Sequence, residues 1–241
     1  MLGVDLDMSP PGTAEVGADL STPAGRAQVI TAAQDRWGGE LDRLVLCAGV
    51  GTTVPDPELI VSVNYFGSAV LLDELRPSLA AGDTPAAVVT SSNSVTAVPG
   101  IPEKLIDACL AGDEDAARAL ATDPVMAYVG SKLALARKVR RDATGEAWAG
   151  RGIRLNAVAP GATLTPLLQA GLDDPDQGRL IREFPVPLGG FGDPDQIASV
   201  LAFLVSSDAG FVCGSVWYVD GGTDALLRPD DWPAVWDLEG G

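Results

Sequence analysis

One tyrosine and one lysine, four residues apart in the stretch AYVGSKLALAR (127–137), are the side chains best suited to proton transfer. Residues at i and i+4 share one face of a helix, so Tyr128 and Lys132 would lie side by side. A free phenol has a pKa of about 10 and is a poor base at neutral pH, whereas a nearby ammonium favours the phenolate. The pair could therefore exchange a proton with a hydroxyl or carbonyl group; two unrelated helix residues are the alternative.

Two further polar side chains stand in positions where packing alone does not explain them. Ser92 ends the apolar run AAVVTSS (86–92), and Asn64 lies inside a helical pattern in SVNYFG (62–67). Asparagine is unfavourable in mid-helix unless its side chain forms a hydrogen bond. An asparagine, a serine and the tyrosine–lysine pair in this order along the chain, Asn64, Ser92, Tyr128 and Lys132, are far less expected by chance than the pair alone.

The composition disfavours several other kinds of site. The chain has 241 residues, no histidine and three scattered cysteines, so no Ser-His triad, histidine-ligated metal or disulfide framework is predicted. The formal charge of −17 disfavours nucleic acid and anionic membranes as partners, because both require clustered lysine and arginine. No apolar run is long enough to span a bilayer. Scattered cysteines suit a reducing compartment, and we expect a cytoplasmic location.

Short apolar runs alternate with helical patterns along the chain. We predict strands at 1–7 (the tail of one), 41–49, 86–92, 153–161 and 215–222, and helices near 23–37, 57–80, 126–149 and 194–206. Strands that are apolar on both faces and alternate with helices indicate a parallel sheet covered on both sides. The last helix should begin with a capping box formed by Asp193 and Gln196. We therefore predict a single α/β domain over residues 1–241.

Two segments depart from this alternation. Residues 93–125 lie between a strand end and the next helix and contain a helical pattern at 103–123. Such an insertion falls at the carboxyl edge of the sheet, where open α/β sheets bind ligands, so it is either a substrate lid or an oligomer contact. The C-terminal tail, 226–241, carries Trp232 and Trp236 and is expected either to lie over the surface or to form a subunit contact.

These residues and several longer motifs resemble the short-chain dehydrogenase/reductases, a Rossmann-fold family that transfers hydride to or from a nicotinamide cofactor. The resemblance runs from residue 1 to about 225 and is greatest to the bacterial 3α-hydroxysteroid dehydrogenase/carbonyl reductase branch. It rests on the motifs ADLSTPAGR (18–26), VLCAGVG (45–51), VSVNYFG (61–67), AYVGSK (127–132), RLNAVAPGATLTPLLQAGL (154–172) and DGGTDALLRP (220–229).

The resemblance implies an NAD-dependent interconversion of a secondary alcohol and a ketone, with a 3α-hydroxysteroid or another carbonyl compound as substrate. Tyr128 would be the acid/base, and Lys132 would tune it and bind the nicotinamide ribose. Ser92 would hydrogen-bond the reacting oxygen, with the other two serines of SSNS (91–94) as competitors. Asn64 would hold a water in the proton relay. A homodimer or homotetramer is also implied.

Further positions are implied to contact the cofactor. Asp5 ends the first predicted strand; a carboxylate there accepts hydrogen bonds from a ribose 2′-hydroxyl and repels a 2′-phosphate, which favours NAD over NADP. Asp19 and Leu20 would lie at the adenine. Cysteine at position 47 stands where the family usually has asparagine, which should weaken a structural hydrogen bond. The other implied positions are Cys47, Ala48, Gly49, Tyr128, Lys132, Pro160, Gly161, Thr163 and Thr165.

The family's N-terminal fingerprint, a strand followed by T-G-x-x-x-G-x-G and a helix, has no counterpart in this sequence. It places glycines and a helix N-terminus under the pyrophosphate and supplies a central strand, and GVGTT (49–53) has the wrong spacing to replace it. We therefore expect a Rossmann-like sheet without its first strand and helix, weak or absent cofactor binding, and low stability. Either a mis-assigned start or a genuinely shortened protein would explain this. A non-catalytic scaffold that has lost dinucleotide binding is the alternative function.

Overall fold

Two parallel sheets form the centre of the fold. The computed structural model describes residues 1–6 and 14–231; Trp232 and Trp236 of the predicted tail lie outside these ranges. The strands are β1 (Val4–Asp5), β2 (Val16–Gly17), β3 (Arg43–Leu46), β4 (Ala86–Thr90), β5 (Arg154–Pro160) and β6 (Val216–Val219). β1 pairs with β2, and the other four form one sheet in the order β3-β4-β5-β6. The predicted α/β fold with a parallel sheet is confirmed.

The two sheets are not joined to each other. This agrees with the sequence analysis, which predicts that the central strand between them is missing. Within the described residues, β1 pairs with β2 alone and β3 pairs with β4 alone, so no ladder joins β1 to β3. The side chain of Val45 in β3 is 44% exposed, whereas Val88 and Val89 of the neighbouring strand are fully buried. β3 therefore has the apolar sequence of an internal strand but lies at a sheet edge.

Helices cover both faces of the four-stranded sheet. They are α1 (Pro23–Trp37), α2 (Pro57–Val61), α3 (Gly67–Ala81), α4 (Ser94–Ala97), α5 (Glu103–Leu110), α6 (Glu114–Leu120), α7 (Pro124–Asp142), α8 (Pro166–Asp173), α9 (Pro175–Glu183), α10 (Pro194–Val205) and α11 (Thr223–Leu227), with a π-helical turn at Ser62–Phe66 and 3₁₀ turns at Ala149–Arg151 and Ser207–Ala209. None of the described helices is both long and apolar enough to cross a bilayer.

Many helices begin with an aspartate or threonine cap followed by proline. Proline suits the first helical position because the N–H that it lacks would have no helical partner there. The side chains of Thr22, Asp123 and Thr165 cap α1, α7 and α8 in this way. α10 has the predicted capping box, in which Gln196 accepts from the backbone N–H of Asp193. The local sequence therefore determines where these helices begin.

Helix lengths differ from the predictions at three places. The helix expected over 57–80 contains the π-helical turn, which separates α2 from α3. The pattern at 103–123 forms two helices because Gly112, at φ 74°, adopts the left-handed conformation between them. The helix expected over 126–149 ends at Asp142, after which the N–H of Gly145 donates to the carbonyl of Asp142 in a turn.

The core lies on both faces of the sheet. On one face, leucines of α3 and α7, including Leu72, Leu79 and Leu135, pack with Leu155 of β5 in a single cluster. On the other face a smaller cluster joins α10 to the central strands. This three-layer arrangement fixes the direction of the strands, and the strand ends carry the candidate site.

Candidate active site

The predicted site residues converge because parallel strands end at one edge of the sheet. Leu46 is in register with Val89, and Val158 with Thr90, so the segments that follow β3, β4 and β5 emerge together. The backbone N–H groups of Ser91 and Asn93 donate to β5 carbonyls at 2.7 and 3.0 Å. These two bonds hold the backbone on either side of position 92.

Ser92 is the serine that meets Tyr128. The two hydroxyl groups are hydrogen-bonding partners. The Ser92 oxygen also accepts from the backbone N–H of Ser94 at 3.2 Å and from the Ser94 hydroxyl at 2.9 Å. The hydroxyl of Ser91 instead donates to the backbone carbonyl of Lys132 at 2.9 Å. Among the three competing serines, geometry therefore places Ser92 at the phenol and Ser94 behind it.

Burial raises the pKa of the half-buried Tyr128, and the hydrogen bond from Ser92 opposes part of this rise. The sequence analysis predicts the opposite, a Tyr128 pKa that the neighbouring ammonium lowers. The pKa rises because loss of water disfavours a phenolate more than these surroundings stabilise it. Tyr128 is consequently a neutral phenol, which is the form that donates a proton.

Lys132 reaches the same strand end as Tyr128. Its side chain is 4% exposed in relative terms, and Nζ donates to the carbonyl oxygen of Thr90 at 2.8 Å. Burial lowers the pKa of Lys132 to about 8, while Cys47 opposes this shift. The amine is still mostly protonated at neutral pH, so a buried positive charge stands at the end of β4.

Asn64 anchors the loop that follows β3. Its side-chain oxygen accepts from the N–H of Val50 at 2.8 Å, and its nitrogen donates to the carbonyl of Val50 at 3.0 Å. The π-helical turn widens the helix at this point and explains how a fully buried asparagine is accommodated. The water-holding role stays a prediction.

The segment Cys47-Ala48-Gly49 is exposed beside these groups. The hydroxyl of Thr90 donates to the Cys47 sulfur at 3.4 Å. A Cβ on Gly49 would lie 3.1 Å from the Asn64 oxygen and 3.3 Å from the Lys132 amine. The missing side chain therefore leaves a backbone surface next to a cation, which fits the approach of a ribose.

The loops that follow β1 and β2 lie next to each other. Asp5 is exposed and its carbonyl accepts from the N–H of Ala18 at 3.0 Å. The carboxylate of Asp19 accepts from the backbone N–H and hydroxyl of Ser21 at 2.9 and 2.6 Å. Gly25 packs so tightly that a Cβ there would lie 2.0 Å from the Asp19 carbonyl oxygen. This loop is therefore seated on the first turn of α1.

Leu20 belongs to the same loop and is held by a second glycine. A Cβ on Gly67, the first residue of α3, would lie 3.2 Å from the Leu20 Cβ. Asp19 and Leu20 thus occupy a position fixed by the starts of α1 and α3.

Pro160 ends β5 and leads into a chain of hydroxyl contacts. Gly161 donates to the carbonyl of Val219 at 3.0 Å. The hydroxyl of Thr163 donates to the carbonyl of Gly161 at 3.0 Å, and that of Thr165 donates to the carbonyl of Thr163 at 3.2 Å. Thr165 then caps α8. These contacts direct α8 and α9 back over the sheet edge.

α8 and α9 contact the loop that follows β3, and α8 overlaps the segment 164–172 that the sequence predicts as a cover of the cleft. The Leu167 Cγ would lie 3.0 Å from a Cβ on Gly51, and the Thr52 hydroxyl donates to the Gln177 side chain at 2.5 Å. The contact of Gln177 with Thr52 could not be predicted from the sequence, because the two residues lie 125 positions apart. Within the inserted segment 93–125, α5 packs against α7: a Cβ on Gly130 of α7 would lie 2.8 Å from the Leu105 side chain. The choice between a substrate lid and an oligomer contact stays open.

The site residues fit a dinucleotide at its two ends. The Lys132 amine beside Gly49 suits the nicotinamide ribose, and the Asp19–Leu20 loop is where the sequence predicts the adenine. No glycine-rich turn leading into a helix lies between β1 and β3 in the described ranges. The described residues also contain no group of three or more aspartate, glutamate, cysteine or histidine residues placed to hold a metal ion.

Comparisons with known proteins agree on one family. A family model described as enoyl-(acyl carrier protein) reductase matches residues 115–224. The chain is 46% identical to 3-alpha-hydroxysteroid dehydrogenase/carbonyl reductase of Comamonas testosteroni, over 95% of this chain and 88% of that protein. It is 30% identical to the short-chain dehydrogenase/reductase bsc3 of Alternaria brassicicola, over 80% of this chain and 72% of that protein.

A solved structure has a closely similar fold. It is the 3-alpha-hydroxysteroid dehydrogenase of Pseudomonas sp. B-0831, complexed with NADH, which superposes with a TM-score of 0.89 at 47% identity. The match covers 95% of this chain and 89% of that chain.

Proposed function

The chain belongs to the short-chain dehydrogenase/reductase family, and we propose that it is an NAD-dependent oxidoreductase that interconverts a secondary alcohol and a ketone. The single observation that carries this proposal is the meeting of the Tyr128 and Ser92 hydroxyls at the end of β4, where Lys132 also binds. The names of the relatives support a 3α-hydroxysteroid or another carbonyl compound as substrate. A scaffold without catalytic function has no comparable support.

The protein residues handle the proton while NAD, when bound, accepts or supplies the hydride. In ketone reduction, Tyr128 donates its proton to the carbonyl oxygen, and Ser92 donates a hydrogen bond to the same oxygen. The raised pKa keeps Tyr128 protonated for this step. In alcohol oxidation the direction is reversed, and Tyr128 must first lose its proton. The positive charge of Lys132 stabilises the phenolate as it forms, because opposite charges favour the ionised form.

The cofactor contacts follow from the same sheet edge. Lys132 binds the nicotinamide ribose. Asp5 accepts from the adenosine ribose and selects NAD over NADP, because its charge repels a 2′-phosphate. The adenine contacts are Asp19 and Leu20, and the backbone contacts and nicotinamide contacts are Cys47, Ala48, Gly49, Pro160, Gly161, Thr163 and Thr165. Asn64 holds the loop that presents Gly49.

A homodimer or homotetramer is part of the proposal. Phe203 of α10 and Trp217 of β6 are each 36% exposed, and their ring centroids lie 5.6 Å apart. Aromatic residues are enriched in protein interfaces, so this exposed pair supports a subunit contact at α10 and β6. The three cysteines are free thiols, which supports a reducing compartment such as the cytoplasm. The net charge of −17 gives no support for nucleic acid as a partner.

Replacing Tyr128 by phenylalanine tests the proposal. The assay follows NADH formation during oxidation of a 3α-hydroxysteroid, in this chain and in a version extended upstream. Loss of the acid/base should lower kcat by about 10²- to 10⁴-fold. Tyr218→Phe is the matched control, because this tyrosine lies on β6 and hydrogen-bonds to Thr96 instead of Ser92.

A near-normal rate for Tyr128→Phe would remove this residue from the mechanism. Absence of turnover in both the chain and its extended version would favour the scaffold. Titration with NADH, followed by its fluorescence, separately tests the expectation of weak cofactor binding. Micromolar affinity of the chain as it stands would overturn that expectation.

A further inference from the structure

One buried ion pair connects the first turns of α1 with the inserted segment 93–125. Arg26 is 2% exposed, and its Nη2 donates to the Glu114 carboxylate at 2.7 Å. The two residues are 88 positions apart, and Glu114 is the first residue of α6. A charge at this depth must be paired, because an isolated buried guanidinium is costly. The contact therefore holds α6 against α1 at a defined position.

The same arginine also holds the loop that follows β2. Its Nε donates to the carbonyl of Thr22 at 3.2 Å. Thr22 caps α1 by accepting from Gly25, and its hydroxyl donates to the Asp19 carbonyl at 3.0 Å. A chain of direct contacts thus leads from Glu114 through Arg26 and Thr22 to Asp19.

The other end of α6 is tied to the helix that leads to Asn64. Arg118 donates to the Glu58 carboxylate at 2.9 and 3.2 Å, and it also reaches the Ser62 hydroxyl at 3.5 Å. Glu58 lies in α2, and Ser62 begins the π-helical turn that contains Asn64. α6 therefore spans the gap between the loop at Asp19 and the segment that carries Asn64.

We propose that α6 is a brace for the adenine end of the dinucleotide site, with Arg26 and Glu114 as positioning residues. This inference rests on the proposed function. The pair acts through Thr22 and does not touch the cofactor. Arg26 Nη1 and Glu114 Oε1 are buried without a hydrogen-bonding partner among the described residues, so the pair is joined by one hydrogen bond instead of two. Loss of the Glu114 carboxylate would leave Arg26 with no charged partner in the part of the chain that the structure describes.

The experiment compares Glu114→Ala with the control Glu103→Ala. Glu103 lies in the same inserted segment and is paired with Arg137 of α7, away from α1. Hydrogen exchange measured by mass spectrometry reports on the backbone of residues 18–25. Binding of NADH and of AMP reports on the adenine end, and kcat and the KM for the alcohol report on the reacting end.

In Glu114→Ala we expect exchange in 18–25 to become about tenfold faster and the Kd for both probes to rise about tenfold. The KM for the alcohol and kcat at saturating NAD should stay within about twofold of the wild type, because Tyr128 and Ser92 are not contacted by this chain of residues. Glu103→Ala should leave exchange in 18–25 and both Kd values unchanged. Glu114→Gln, which keeps the size and one hydrogen bond, should fall between these two variants and serves if the alanine variant does not fold.

Unchanged exchange in 18–25 in both Glu114 variants would overturn the brace. Faster exchange with unchanged Kd values would also overturn it, since the pair would then be structural alone. If the wild type binds neither NADH nor AMP, the cofactor proposal fails by itself, and the exchange measurement alone decides whether α6 braces the loop.

Discussion

Replacing Lys132 by methionine measures how strongly burial of its amine opposes folding. The side chain is 4% exposed, and burial lowers its pKa from 10.5 to about 8. Between these two pH values the unfolded chain keeps a proton that the folded chain has lost. The free energy of unfolding rises with pH wherever the unfolded state binds more protons. The wild type should therefore gain stability relative to Lys132→Met as the pH rises through this window.

The magnitude follows from the width of the window. A pKa unit corresponds to about 1.4 kcal/mol, so a shift from 10.5 to about 8 predicts a gain of about 3 kcal/mol. Below pH 8 the full cost of the buried charge is present, and above 10.5 it is absent. Methionine has a similar length, and its effect on packing does not depend on pH, so this effect cancels in the comparison.

The assay is urea unfolding followed by tryptophan fluorescence, at pH values from about 7 to about 11. Lys138→Met is the matched control, on the same helix. Burial opposes the charge of Lys138, but its hydrogen bonds to Asp142 and Asp73 outweigh this and raise its pKa. The stabilisation by Lys138 is complete below its unfolded pKa and is lost as pH rises towards its folded value, so its difference curve should stay level until the pH nears 10.5 and should fall from there. A flat or falling curve for Lys132 would refute the reasoning.

Three further substitutions test the frame around the site. Asn64→Ala leaves both backbone groups of Val50 without their side-chain partner and should cost about 1–3 kcal/mol in urea unfolding, so an unchanged midpoint would contradict the contact. Gly25→Ala places a Cβ 2.0 Å from the Asp19 carbonyl oxygen and should lower the free energy of unfolding by about 1–3 kcal/mol. A Tm equal to that of the wild type would show that the loop moves without cost and would contradict this prediction. Asp5→Ala should raise the ratio of kcat/KM for NADP to that for NAD by about tenfold, and a constant ratio would exclude Asp5 from cofactor selection.

Signals that span a few residues could be read from the sequence alone. The capping box at Asp193 and the buried run that forms β4 both act within one turn or one strand, and both are present as predicted. Ser92 could likewise be placed at the end of this run, whereas the roles of Asn64, Ser92, Tyr128 and Lys132 stay predictions. β2 escaped notice because its two residues are too few to show a period.

Only the tertiary structure decided the contacts between distant positions. It set Ser92 instead of Ser91 against Tyr128, and it raised the pKa of the phenol by burial where the local sequence suggested a lowered one. It paired Arg26 with a carboxylate 88 positions away. These contacts and this pKa depend on which helices and strands pack together and on how much water their packing excludes. The identity of each side chain, with its power to donate, accept or carry charge, was already present in the sequence.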